Sequence, residues 1–280
     1  MAGLGFKDFQ VGEVLTSSDV DGYLMQQTVM RFADSGARGS ALGTAVGTAA
    51  ALAEGMVTYL DDTNVLSVYD GSTWRDIGYT YRQTVYFTSS GTFTPADYPW
   101  LRAVKVKVQA SGGGGGGADR GADGIGRGAS GAGGGGYSES FITDVSSLGT
   151  AVTVTVGLGG TGASAPDGST VAPSDGSASS FGTAVVANGS IGQVGGLVGT
   201  GDLAVGGSAG VVGLSQADNP RGGSGGGSFL GGGGTGALSG QGGDANNYGG
   251  GGGGGSTDNT NVNGDGGDGA DGIVIVELFS

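Results

Sequence analysis

The chain has 280 residues, 70 of them glycine, and a formal net charge of -14 at pH 7. It contains no cysteine and no histidine, which removes disulfides, thiolate or imidazole metal sites and Cys–His or Ser–His nucleophiles. Such an acidic surface repels phosphate backbones and anionic headgroups, which argues against nucleic-acid binding and membrane association.

Glycine and charge are both unevenly placed. Residues 1–100 hold 12 glycines and residues 101–280 hold 58. Residues 1–110 carry a net -3, and residues 111–280 a net -11. The chain therefore reads as a conventional front module, 1–84, and a glycine-dominated back module, 85–280. The opening "MAGLGFKDFQVGE" lacks the continuous apolar core of a signal peptide, and no stretch is long enough to span a bilayer. The expectation is a soluble protein assembled in the cytoplasm.

In chain order, "LTSSDVDGYLM" (15–25) predicts a short helix, with Ser18 as N-cap and Asp21 completing a weak capping box. "TVMRFAD" (28–34) fits a helix or a strand. The strand is favoured, because "SGARGSAL" after it reads as a turn and another short helix. "GMVTYLDD" (55–62), "VLSVYDG" (65–71) and "STWRDIG" (72–78) are three short β-prone runs. Asp70-Gly71 predicts a type I′ hairpin that brings Tyr69 and Trp74 together across it. That aromatic pair reads as packing core, with a ligand platform as the other reading.

Residues 6–78, and most specifically the "EGM-x-x-YL-x-D…VYDG-x-x-W" run, resemble the N-terminal module of tailed-phage virion structural proteins of the minor tail or fibre type. The resemblance implies a virion component attached to other virion proteins through this module.

The back module alternates with period two in several places. In "LRAVKVKVQA" (101–110), Val104, Val106 and Val108 face one way and Lys105 and Lys107 the other. "AVTVTVG" (151–157) repeats the pattern. "TVYFTSSGTFT" (84–94), "YSESFIT" (137–143) and "SASSFGTAVVA" (177–187) add further strands. "IVIVEL" (273–278), apolar on both faces, suits a central strand. These strands predict an antiparallel β-sandwich, jelly-roll-like, with the glycine tracts as insertions.

A glycine tract offers no side chain to bury against the ~1–2 kcal/mol per residue of backbone entropy that ordering costs, which favours disordered loops. Against that stands spacing. Gly121 and Gly124, then Gly128, Gly131 and Gly134, then Gly266, Gly269 and Gly272 lie three apart. Three residues per turn is the period of the polyproline-II helix, whose backbone groups all point outward and must bond to neighbours. The expectation is a packed array of polyglycine-II helices clamped by the sandwich. Five prolines and an irregular glycine period rule against collagen.

Residues 86–279 are similar to the glycine-rich domain common at the C-termini of phage tail fibres, on "FTSSGTFTPADYPWLRAVKVKVQASGGGGGG…GGGGYSESF…TVTVGLGG…SSFGT…GGDGADGIVIVEL". The resemblance implies polyglycine-II layers inserted in a sandwich, and a threefold homo-oligomer, although no heptad seam supports that.

Chemistry-bearing motifs are weak. "GGDGADGIV" (266–274) fits one calcium nonapeptide, with Asp271 at the acid position, but a β-roll needs successive copies. The G-x-G-x-x-G matches lack a flanking strand and helix, and no G-K-[ST] exists. Asp202, Asp218 and Asp244 stand alone among small residues, so no catalytic carboxylate pair emerges. The expectation is a non-enzyme without cofactor or metal.

More telling are "LSQADNPRGG" (214–223), "GDANNYGG" (243–250) and "STDNTNVN" (256–263), where polar residues interrupt the glycine. Asn and Asp suit the left-handed geometry of turns, the plainer reading. As recognition tips, Asp218, Asn219, Arg221, Asn246, Asn247 and Tyr248 are candidate receptor-binding residues, since Tyr and Arg are favoured anchors and loops on rigid scaffolds carry binding. The partner expected from this reading is a host-surface glycan or protein. Together these readings give a mainly β phage virion protein of the tail-fibre type, or alternatively a capsid-surface fibre, decoration or spacer protein.

Overall fold

The structure is a computed structural model that describes Gly12, Val14, Thr16 and residues 29–42, 52–63, 65–119, 125–165, 169–216, 218–258 and 264–280. The helix expected over 15–25, with Ser18 and Asp21, lies outside the described residues. Two compact units divide the chain, Met1–Thr80 and Tyr81–Ser280. A boundary after residue 84 would cut the strand Tyr81–Phe87, which pairs with the last strand along its length, so the second unit starts four residues earlier than expected.

In the first unit, β1 (Val29–Phe32), α1 (Ser35–Leu42), β2 (Val57–Leu60), β3 (Val65–Tyr69) and β4 (Trp74–Asp76) form a sheet in the order β1-β2-β3-β4. β1 runs parallel to β2, as a crossover through α1 permits, and the other pairs are antiparallel. Asp34 Oδ1 accepts the Ala37 N–H at 2.7 Å and caps the start of α1. Tyr69 and Trp74 pair in register with ring centroids 5.3 Å apart. Trp74 also covers the buried Arg38, whose Cζ lies 4.4 Å from the ring centroid. The connection is not a type I′ turn. That turn needs positive φ at both Asp70 and Gly71, and only Gly71 has it. Instead the Asp70 carboxylate accepts the N–H groups of Ser72 (2.9 Å) and Thr73 (2.7 Å), closing a longer loop over residues 70–73.

The second unit contributes β5 (Tyr81–Phe87), β6 (Gly91–Phe93), β7 (Ala103–Gln109), β8 (Gly117–Ala118), β9 (Arg127–Gly128) and β10 (Tyr137–Ile142). After these come β11 (Val152–Thr155), β12 (Thr170–Val171), β13 (Ser179–Phe181), β14 (Val185–Ala187), β15 (Leu203–Val205), β16 (Ser256–Thr257) and β17 (Ile273–Phe279). A five-stranded sheet, β15-β10-β7-β17-β5, faces a four-stranded one, β14-β13-β11-β6, and the pairings are antiparallel. Val104, Val106, Val108, Val274, Val276 and Leu278 from one sheet meet Phe93, Val152, Val154, Phe181 and Val185 from the other in one buried core. The fold is mainly β, an antiparallel sandwich. The doubly apolar β17 sits between β5 and β7, where a last strand also falls in a jelly roll, whereas β11, β13 and β14 follow one another as a meander. On the outer face Lys107 pairs with Glu277 and Lys105 with Glu139, which explains the alternation along β7.

The glycine tracts leave and rejoin the sandwich strands, and their backbone groups bond mainly from one tract to another. Tract 249–257 shows the rule. Gly251 and Gly254 donate to Gly226 and Gly223, Gly252 and Gly255 to Gly113 and Gly116, and Gly253 and Ser256 to Gly243 and Gly240, all at 2.8–2.9 Å. The carbonyls of residues 251–256 accept in turn from Gly234, Ala132, Gly267, Ala237, Ala129 and Gly240. Three donor and three acceptor directions, repeating every third residue, make a polyglycine-II helix saturated by neighbours on all sides. The three-residue spacing in the sequence maps onto this lattice. Gly131 and Gly134 donate to Val211 and Ser208, while Gly266, Gly269 and Gly272 donate to Ala163, Gly160 and Gly157. Gly121 and Gly124 lie outside the described residues.

Glycine is required here by proximity rather than by conformation. None of Gly112–Gly117, Gly131–Gly136 or Gly250–Gly255 has positive φ. A Cβ built on Gly112 would fall 2.0 Å from Gly250 O, and one on Gly252 would fall 1.9 Å from Gly267 O. One bond per residue, worth about 0.5–1.5 kcal/mol net, does not outweigh ~1–2 kcal/mol of backbone entropy, so the lattice depends on the sandwich that fixes its ends.

Candidate functional site

Levels along the lattice follow from the bonding ladder. Ala129, Ala132 and Gly135 donate to Gly255, Gly252 and Gly249. Gly249 is therefore level with Gly135, two residues before β10, at the sandwich end. Residues 255–257 are level with 127–129, at the far end. With ~3.1 Å per residue, the two ends of tract 249–257 are about 25 Å apart.

The far end gathers several turns. Leu214 and Arg221 exchange backbone bonds at 2.7 and 2.9 Å, closing a tip over 215–220. Gln216 of that tip bridges to Gly126, Ser239 Oγ donates to Asp258 Oδ2 at 3.0 Å, and Ala118 bridges to Gly264. Asp218, Asn219 and Arg221 are exposed there.

Asn246, Asn247 and Tyr248 are exposed too, but at the opposite end. Asn246 bridges to Gly232, and the Tyr248 carbonyl accepts from Ser228 Oγ at 2.6 Å. Asn247 has φ 59, the left-handed turn geometry weighed for these residues. The six candidates therefore split into two sets at opposite ends of the lattice and do not form one surface. The reason is topological. After β15 the turns alternate, far at 214–221, near at 228–231, far at 238–240 and near at 246–249, and both Thr257 and Gly264 lie at the far end. Counting turns from a sandwich strand is the signal that separates them, and it adds Gln216, Ser239 and Asp258 to the far-end set.

The near end is built from buried groups. Gln109, the last residue of β7, is fully buried. Its Nε2 donates to Ala110 O (3.1 Å), Gly135 O (3.0 Å) and Gly136 O (2.9 Å), and its Oε1 accepts the Leu230 N–H at 3.3 Å. Phe229 in the same turn stacks on Tyr137 at 4.3 Å. Burial, then the 2.7 Å bond to Glu139 Oε2, pushes the Tyr137 phenol above its ordinary range, so it stays a donor. This arrangement locks lattice to sandwich.

Carboxylates flank the lattice as backbone acceptors. Asp271 Oδ1 and Asp268 Oδ1 take the N–H groups of Gly159 and Gly162, both at 2.7 Å, and Asp244 Oδ1 takes that of Asp268 at 2.8 Å. These N–H groups are three apart on an edge helix, and the aspartates stand where a further helix would otherwise accept. Asp271, the acid of the single calcium-like repeat, is used in this way. Asp202 Oδ2 likewise accepts the Phe141 N–H at 2.9 Å. A groove of about 470 Å³ outside β11 and β13, lined by Thr153, Thr155, Ser180 and Ala184, carries no charged side chain. Among the described residues no group of three or more carboxylates is placed to hold a metal ion, and no helix is long and apolar enough to cross a membrane.

An antiparallel sandwich with an inserted, mutually bonded glycine lattice defines the class of domain. Residues 88–279 match the glycine-rich domain model, and the chain belongs to that family. No curated protein matches the chain.

Proposed function

We propose that the protein is a non-enzymatic bacteriophage virion component of the tail-fibre or tail-tip type. Its first unit attaches to other virion proteins, and its glycine-rich unit presents the far-end turns to a host-surface glycan or protein. The observation that carries this reading is the gathering of polar, exposed turns, with Asp218, Asn219 and Arg221, at the end of a backbone-bonded scaffold about 25 Å from the sandwich. A scaffold whose inner N–H and C=O groups are paired holds such turns in fixed relation, which lowers the ordering cost of binding. The similarity of residues 6–78 to tailed-phage virion modules supplies the phage context.

The test is host adsorption by particles carrying Asp218→Gly, Asn219→Gly and Arg221→Ser together. Adsorption should fall at least tenfold with particle assembly unchanged. Asn246→Gly with Asn247→Gly, at the sandwich end, should leave adsorption intact. Unchanged adsorption and host range for the far-end variant would replace this reading with a purely structural spacer or decoration role.

A further inference from the structure

The outer faces of the two sandwich sheets differ. Across the smaller sheet, Thr92 opposite Thr153 and Ser180 opposite Thr155 turn hydroxyls outward, the polar surface that an exposed sheet face ordinarily has. Across the larger sheet the outward rows, read from the strand registers, are aromatic as well as charged. One carries Glu139, Lys107 and Tyr86, the next Phe141, Lys105 and Glu277, and a third Phe279 and Tyr81. Tyr86 is 64% exposed, Tyr81 55% and Phe141 39%. Phe279 meets Phe141 edge-on at 5.5 Å and Tyr81 at 6.0 Å.

Tyr81 reaches this face through a bulge. Phe87, Val85 and Gln83 stand opposite Val274, Val276 and Leu278, the inward row of β17, so strict alternation would turn Tyr81 inward too. Instead the register shifts, Phe279 stands opposite Tyr81, and Arg82 is the extra residue. Bulges on edge strands re-aim side chains in this way. The Tyr81 hydroxyl then lies 2.9 Å from Thr84 Oγ1, which is also outward, and Arg82 Nε donates to Ser280 Oγ at 2.8 Å. Neither the core nor the lattice uses the rings so exposed.

We propose that this face binds a neutral saccharide. A sugar ring presents C–H groups on its faces and hydroxyls around its edge. The electron-rich faces of exposed aromatic rings suit the first, and charged side chains bond the second strongly. Here the two kinds of group lie side by side, with strands about 4.8 Å apart. Lys107 pairs with Glu277, and Lys105 with Glu139 at 3.4 Å, so the face has no net charge in a chain of net -14. Each ammonium carries three donors and each carboxylate several lone pairs, which leaves capacity beyond the ion pairs for hydroxyls. The layout disfavours a protein partner, because protein interfaces are depleted of charge at their centres. Here the charges occupy the middle strands β10, β7 and β17, and the most exposed rings stand on the edge strand β5. The site lies on the sandwich and stands whether or not the far-end turns bind a host.

The experiment is calorimetric titration of the full chain with neutral oligosaccharides of glucose, mannose, galactose and rhamnose. At least one should bind, with the same affinity at low and high salt, as an uncharged ligand requires. Tyr81→Ser with Tyr86→Ser should weaken that binding at least tenfold, whereas Tyr86→Trp should retain it. The far-end variant with Asp218→Gly, Asn219→Gly and Arg221→Ser should bind as the wild type does, which separates this site from those turns. Binding to none of the four sugars, binding only to a sialylated oligosaccharide, or serine variants that bind as the wild type does would each overturn the proposal. If the double variant shifts the urea midpoint of the second unit, Tyr86→Ser alone is read against the same outcomes.

Discussion

Replacing Gly252 by alanine tests the lattice directly. The Cβ would sit 1.9 Å from Gly267 O, where ordinary contact begins at 3.4 Å, so segment 264–272 must retreat by about 1.5 Å. That retreat breaks the bonds Gly115 N–H to Gly267 O and Gly267 N–H to Gly253 O, both 2.8 Å and buried. The two broken bonds leave four buried groups unpaired, and at about 1–3 kcal/mol for each the loss is at least roughly 4 kcal/mol, in the tail of single substitutions. The control is Gly232→Ala. Gly232 is exposed, lacks positive φ and has nothing within 4 Å of a built Cβ. Alanine there should be neutral or stabilise by up to ~1 kcal/mol through the unfolded chain. Trp100 packs on the core of the second unit and reports its unfolding in urea, in a Trp74→Phe background. Hydrogen exchange over residues 250–257 and 264–272 reports the lattice itself. Equal midpoints for the two alanine variants, or exchange at free-peptide rates in the wild type, would refute the close-packed backbone argument.

Three further outcomes are expected. Gln109→Leu removes the bonds to Ala110, Gly135, Gly136 and Leu230 while keeping an apolar body, and should destabilise the second unit by about 2–4 kcal/mol in the same urea assay. Asp268→Ala with Asp271→Ala should speed exchange at Gly162 and Gly159 alone, with little change at Gly251–Gly255, as residue-resolved amide exchange would show. In the first unit, the Thr73 N–H above all, then Arg75 and Ser72, hold the Asp70 carboxyl well below the usual carboxylate range. A depressed folded-state value means that its stabilising contribution is complete above about pH 4 and is lost as pH falls below it. Asp70→Asn should therefore flatten the acid sensitivity of Trp74 fluorescence below pH 4, and an unchanged profile would remove Asp70 as the cause.

Much of the sandwich is legible because its residues have side chains. Val104, Val106 and Val108 against Lys105 and Lys107 fix which face of β7 turns inward, and the doubly apolar β17 announces a central strand. The glycine period is legible as well, since Gly266, Gly269 and Gly272 fall in one lattice direction. The hairpin at Asp70-Gly71 and its Tyr69–Trp74 pair are legible, but its turn type is not, because a dipeptide pattern does not reveal that the carboxylate will cap Ser72 and Thr73. The six candidate tip residues misled for another reason. Polar residues between glycines mark a turn but not the end of the lattice at which it falls.

The sequence alone determined that this chain holds two units, that the second is a sandwich of alternating strands, and that its glycines repeat as a threefold helix must. Tertiary structure decided which helix bonds to which, which way each runs, and hence that Arg221 stands far from the sandwich while Tyr248 stands beside it. A glycine carries no side chain by which to choose among neighbours, and any N–H fits any carbonyl. The choice passes to the strand ends that anchor each tract, and those are set by the core.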